Sequence, residues 1–376
     1  MAREMKKDGI ELTHLIGPKT EHKYHPDSIP EINKRIDSIV SKGRNPIPMH
    51  VKFSTYTLRY NKMFWVTVDG LEQHWEKATV DAKIIGRNKL IISTENVTAF
   101  SIEIPAGHLT NDGLSFEVLI DGEKAEAPPI FSDRSFVAHY FNVQGVWLTS
   151  PKIGILGLGI TTFPKGTESV VEKSKVKNQR DTIRFFEATN LNKKHGLQGP
   201  IDDAFLEPFI FVRPTGKASN EAIGAWVDSE LNRAIQQWRA QFRGEAIVKN
   251  DDEITAEDIA NSNLILWGEA SSNKILAKIA DKLPIKWNAN NIQIGAKNYA
   301  SSQHIPILIY PNPLNPNRYI ALNSGFTFRE ADILSNAKQT AKLPDWAIID
   351  ITTPPNVYKV GKVVNAGFFG ERWELK

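Results

Sequence analysis

Phe209-Ile-Phe-Val212 is a short apolar run, and Ser219 follows it ahead of Ile223, Trp226, Val227, Leu231, Ala234, Ile235, Trp238 and Phe242. The run reads as a buried strand. The spaced set falls on one face of a long amphipathic helix, with Ser219 placed to cap it. The same alternation continues downstream. Thr255-Ala-Glu-Asp258 has the form of a capping box, in which the threonine hydroxyl and the acid three residues on each bond a free backbone N–H of the first turn. Asn263 to Trp267 reads as a second buried strand, followed by Gly268 and a helix carrying Ile275, Leu276, Ile279 and Leu283. Ile305–Tyr310, Tyr319–Leu322 and Trp346–Ile351 read as further strands, with a helix near Phe328–Lys338. Strands alternating with helices predict a mainly parallel sheet covered on both faces, so residues 193–376 are expected to form a Rossmann- or flavodoxin-like α/β domain.

Upstream the pattern changes. Residues 151–192 are a glycine-rich apolar piece leading into a charged, weakly patterned stretch, Lys165 to Arg180, and read as a linker or insertion. Between 46 and 150 the chain is a series of short strands, among them Val51–Tyr60, Met63–Val68, Ala78–Ile85, Val97–Ile104, Phe116–Ile120 and Ser135–Trp147. Phe100, Ile102 and Ile104 alternate with polar neighbours, and Asp69-Gly70 and Asp121-Gly122 are turn dipeptides. Strands at this spacing predict an antiparallel β-sandwich. Residues 1–45 read as a strand (Ile10, Leu12, Leu15, Ile16), a loop, and a helix. A capping box at Ser28–Glu31 opens that helix, Ile32, Ile36, Ile39 and Val40 line it, and Gly43 closes it. A strand and one helix cannot bury their own apolar faces, so they must dock on something.

The chain has 376 residues, 41% of them hydrophobic, with nine tryptophans, which is ample for packed cores. Its net charge of +3 comes from nearly balanced acids and bases, and nothing in it calls for nucleic acid or an anionic membrane as partner. No cysteine is present, which removes disulfides and thiolate chemistry together. No run approaches the roughly 20 apolar residues that span a bilayer, and Met1 to Asp8 lacks the apolar core of a signal peptide.

Ile16-Gly-Pro-Lys-Thr-Glu-His22-Lys-Tyr-His-Pro-Asp-Ser28 resembles the histidine loop and last helix of α/β-hydrolases in the prolyl-oligopeptidase-like group. His195-Gly-Leu-Gln-Gly-Pro-Ile-Asp-Asp-Ala-Phe205, Tyr310-Pro-Asn-Pro-Leu-Asn-Pro316 and Gly367-Phe-Phe-Gly-Glu-Arg-Trp373 resemble parts of the tail that follows the catalytic domain in large bacterial members. The resemblance implies a hydrolase of ester or peptide bonds using Ser, Asp and His in that chain order, and makes His22 the general base. It also implies a parent that is commonly exported. This sequence departs from the pattern at the nucleophile. No G-x-S-x-G elbow occurs; Gly268-Glu-Ala-Ser271 and Asn323-Ser324-Gly325 are the nearest serine–glycine combinations, and neither has the form that presents a serine beside an oxyanion-hole N–H. The chain is therefore expected to be a C-terminal accessory region, inactive alone, whose missing hydrolase core acts in cis or in trans on a peptide, ester or polysaccharide substrate. No cofactor is implied.

Other patterns compete with this reading. His14, His22 and His25 could bring imidazoles together, but a loop followed by Pro26 is a poor scaffold for the fixed geometry of zinc. Asp202-Asp203 could be paired carboxylates, although adjacent residues usually point apart. Asn263–Gly268 resembles a nucleotide-binding strand–loop–helix, yet both glycine fingerprints are absent and Ser271 and Ser272 read as helix caps. Tyr56, Tyr60, Phe64, Trp65, Trp75 and Trp147 could instead form the platform of a non-catalytic carbohydrate- or protein-binding module, for which an exposed coplanar strip would be diagnostic.

Overall fold

The computed structural model describes residues 1–7, 9–86, 88–109, 116–150, 191–334 and 342–376. Nearly all of the expected linker at 151–192 lies outside them. The chain divides into two compact units, Met1–Pro48 and Met49–Lys376.

The first unit holds helices α1 (Ala2–Lys7) and α2 (Ser28–Lys42). The expected strand at 10–16 does not form, because an isolated strand needs a partner for its backbone groups and none of the described residues here supplies one. The capping box at Ser28 does not form either. Ser28 and Ile29 donate their N–H groups to the carbonyls of His25 and Pro26 at 2.9 and 3.3 Å, so a preceding backbone turn takes the place of the side-chain cap. Glu31 then binds Arg35 at 2.7 Å. Gly43 closes the helix with φ +66°, its N–H shared between the carbonyls of Ile39 and Val40.

The second unit begins with two five-stranded sheets. One has the order β1 (His50–Thr55), β4 (Ala78–Ile85), β5 (Lys89–Glu95), β7 (Glu117–Ile120), β8 (Glu123–Ala125). The other runs β10 (Val146–Ser150), β9 (Phe136–Val143), β6 (Val97–Ile104), β3 (Val66–Leu71), β2 (Lys62–Met63). Phe100, Ile102 and Ile104 are buried, as their alternation predicts. Rings of Phe116 and Phe136 meet edge-to-face at 4.8 Å, and Trp147 Nε1 donates to Asp121 in the β7–β8 turn. Pairing is antiparallel except between β5 and β7, which run parallel. Asp69-Gly70, expected as a turn, lies inside β3 at a bulge. A Cβ on Gly70 would come within 2.6 Å of Thr98 Oγ1, so glycine here serves close strand approach.

Beyond residue 190 a seven-stranded sheet has the order β12 (Ile247–Asn250), β11 (Phe209–Arg213), β13 (Asn263–Leu266), β18 (Asn315–Leu322), β17 (His304–Asn312), β19 (Trp346–Asp350), β20 (Lys362–Gly367). The sheet is mixed, not mainly parallel. β12, β11, β13 and β18 run parallel, while β17 and β20 oppose their neighbours. A parallel pair needs a crossover of a dozen or more residues, and the Pro313-Leu314 link between β17 and β18 permits only a hairpin. A further small antiparallel sheet, β14 (Lys286–Trp287), β15 (Asn291–Ile294) and β16 (Lys297–Ala300), had no distinct signal.

Helix α3 (Glu221–Phe242) buries Ile223, Trp226, Val227, Leu231 and Ala234 as predicted. Its cap is Asn220, whose side chain accepts from Ile223 N–H at 2.9 Å, while Ser219 donates its hydroxyl to Glu269 at 3.0 Å. The capping box on α4 (Ala256–Asn261) forms as read, between Thr255 and Asp258. Helix α5 (Lys274–Ile279) is capped by Asn273, not by Ser271 or Ser272. Helix α6 spans Glu330–Leu334.

The stretches 195–205 and 367–373 converge where the strand-rich half meets the seven-stranded sheet. His195 Nδ1–H donates to the Leu58 carbonyl at 2.9 Å, and Arg59 lies 3.7 Å from Asp203. His74 receives Leu58 N–H on Nε2 and donates from Nδ1 to Glu371 at 2.7 Å. Lys193 and Asp345, both with 0% side-chain exposure, pair at 2.7 Å above Trp373. Gly199 sits at φ +74°, where any Cβ would collide with Asp345 Oδ1.

Candidate functional site

His22 lies on the exposed loop before α2, and its ring makes no hydrogen bond or ion pair among the described residues. A catalytic histidine needs an acid to hold its tautomer and a nucleophile to deprotonate. The first unit places neither against it. His25 accepts Asp27 N–H at 3.3 Å and lies 3.6 Å from its carboxylate, and His14 is exposed. Among the described residues no group of three or more His, Asp or Glu could hold a metal ion.

The other sequence candidates resolve into structure. Asp202 accepts Thr327 N–H and hydroxyl at 2.7 and 2.5 Å, and Asp203 accepts the Tyr319 hydroxyl at 2.7 Å. Burial pushes both carboxyls above their usual range, against those hydrogen bonds. They face different partners and clamp different segments. The loop after β13 is already filled by protein acceptors. Gly268 N–H goes to Asn323, Glu269 N–H to Ser272, and Lys274 N–H to Asp251, so much of the backbone that a phosphate would need is engaged by protein acceptors. Ser271 donates to Glu269 and Ser324 to the Gly325 carbonyl. Of the aromatic set, Trp65 and Trp147 are 1% and 9% exposed and belong to the core. Trp75 packs on Phe368 at 5.5 Å, and Tyr56 and Tyr60 are exposed.

A serine does meet a histidine in the first sheet pair. Ser101 Oγ donates to Asp69 at 2.5 Å and lies 2.8 Å from His139 Nδ1. The acid here bonds the serine instead of orienting the imidazole, which reverses the order a triad needs. With its proton on Asp69, Ser101 can only accept from His139. Burial raises Asp69 to about 6, reduced by the Ser101 bond, raised by Glu103 and lowered by Lys62. Burial also lowers His139, opposed by Glu103. Ser101 sits buried within a strand, without an elbow.

The seven-stranded sheet carries the concavity that sequence reasoning missed. β18 and β19 end at one edge, where β17 and β20 begin. There a pocket of about 800 Å³ opens between α3, the Asn323–Thr327 turn, Arg329 ahead of α6, and the 353–363 loop. Open α/β sheets bind ligands at this carboxyl edge. Arg329 forms a two-pronged pair with Glu230 at 2.8 and 3.1 Å, both nearly buried, and donates to the Asn356 carbonyl. Arg233 binds Glu330 at 3.1 Å, and Trp226 Nε1 ties the far loop to α3 through the Val360 carbonyl. Of these residues, the sequence had drawn notice only to Asn323-Ser324-Gly325 and Trp226; the rest come from four separate stretches with no common spacing.

Comparison with known proteins finds no match to this chain among family models, curated proteins or solved structures.

Proposed function

We propose that this chain is the accessory region of a serine hydrolase acting on ester or peptide bonds. In this reading His22 is the general base, and the nucleophile and acid come from a hydrolase core in cis or in trans. The observation that carries the reading is the state of the first unit. None of its described residues is buried, and α2 presents Ile29, Ile36, Ile39 and Val40 at 42–72% exposure. A helix with a one-sided apolar stripe gains most of its stability by packing that stripe. The hydrolase core is the occupant that would also bring an acid and a serine to His22.

A fluorophosphonate probe with intact-mass readout tests this. The folded chain is expected to take no label. Stoichiometric labelling of one serine, lost in His22→Ala, would mean that the chain completes its own site and would overturn the reading.

A further inference from the structure

We propose that the pocket at the carboxyl edge of the seven-stranded sheet binds a small amphiphilic anion, an organic molecule with an acidic head and an apolar body. This is independent of the hydrolase reading. It rests on size, charge and floor.

The volume, about 800 Å³, falls in the range of sites for small organic ligands, roughly 300–1,000 Å³. Among the described residues the charges lining it are unbalanced. Arg233, Arg329, Lys342, Lys359 and Lys362 face it against Glu230 and Asp332. Both acids are already engaged, Glu230 by Arg329 and Asp332 by Lys342. Arg233 is held by Glu330 from outside the lining. Lys359, on the loop entering β20, and Lys362, its first residue, have no carboxylate at ion-pair distance among the described residues, although the Lys362 charge reaches Asp350 across the β19–β20 pair. Two ammonium groups at the mouth of a partly apolar cleft favour an anion.

The floor agrees. At Ser324, Gly325 and Phe326 the backbone N–H groups take no hydrogen bond among the described residues. Successive free N–H groups of this kind attract anions. Gly325 holds the turn close to α3, since a Cβ there would lie 2.6 Å from that of Ala234. The remaining wall is apolar, from Phe326, Leu343, Tyr358 and Val360. A bare inorganic anion would leave that wall wet; a ligand with an apolar body would cover it.

Fluorescence titration of the full chain with 8-anilinonaphthalene-1-sulfonate tests the site. One saturable site per chain is expected. Lys359→Glu/Lys362→Glu, at exposed positions, is expected to weaken it at least tenfold with the far-UV spectrum unchanged. Lys278→Glu/Lys282→Glu, which reverses two exposed lysines elsewhere, should leave it intact. Octanoate should displace the probe where inorganic phosphate at equal concentration does not. Absence of a saturable site, indifference to the Lys359/Lys362 reversal, or equal displacement by phosphate would each overturn the proposal.

Discussion

Asp69 shows how one buried group makes the fold depend on acidity. Its carboxyl is held at about 6 in the folded chain, against an ordinary value of about 3.9 when unfolded. Between those values the folded state binds the extra proton. The contribution to stability is therefore full below pH 4 and is lost as pH rises through 6. Two units correspond to about 3 kcal/mol. Asp69→Asn keeps an oxygen to accept from Ser101 but cannot ionise. Urea unfolding is expected to find the variant more stable than the parent by up to ~3 kcal/mol at pH 7.5, with the difference closing by pH 4. A difference that does not change with pH would show that Asp69 titrates normally.

Among the elements, what could be read from sequence depended on where each partner lay. The α4 capping box was legible because Thr255 and Asp258 satisfy each other within one turn. The box at Ser28 was not, since the His25 carbonyl takes the Ser28 N–H that Glu31 would have reached, and Glu31 binds Arg35 instead. Hydrophobic runs located β11, β13 and β19 but could not give direction; the shortness of the link between Tyr310 and Tyr319 held that information unread. The pocket was illegible for a different reason. Glu230, Arg233, Arg329 and Lys359 are brought together only by the sheet edge, and no spacing announces them. The caps that were formed can be weighed. Asn220→Ala and Thr255→Ala are each expected to cost about 1 kcal/mol, as one bonded N–H per helix loses its acceptor. Ser28→Ala should cost far less in the same chemical unfolding experiment, because no cap bond involves its hydroxyl.

In the second unit as a whole, a few polar pairs join the strand-rich half to the seven-stranded sheet. Burial alone would raise Glu371, but the His74 hydrogen bonds, with help from Lys193, bring it below its usual value. It therefore stays ionised and accepts both the backbone N–H of His74 at 2.8 Å and the Nδ1–H at 2.7 Å. Glu371→Ala strands two donors beside a buried ring. The expected loss is about 3 kcal/mol in chemical unfolding, since each buried orphan costs roughly 1–3 kcal/mol. The two halves should then melt as separate calorimetric transitions, where the parent is expected to give one for this unit. A single unshifted transition would count against the coupling.

That same pair has a consequence for how the protein is made. Residues 74 and 371 are 297 positions apart. On the ribosome, the loop around His74 emerges long before its carboxylate partner has been translated. Its imidazole must wait, able to bond Leu58 but not yet closed on the other side. A nascent chain released early, by a stop codon or a nick ahead of Phe369, would lack both the acceptor for His74 and the N–H that Phe369 gives to Asp345. Such a fragment leaves two buried sites unsealed at once, and is expected to be cleaved faster than the parent in limited proteolysis. The 367–373 stretch thus completes hydrogen bonding that the chain leaves open from residue 74 onward.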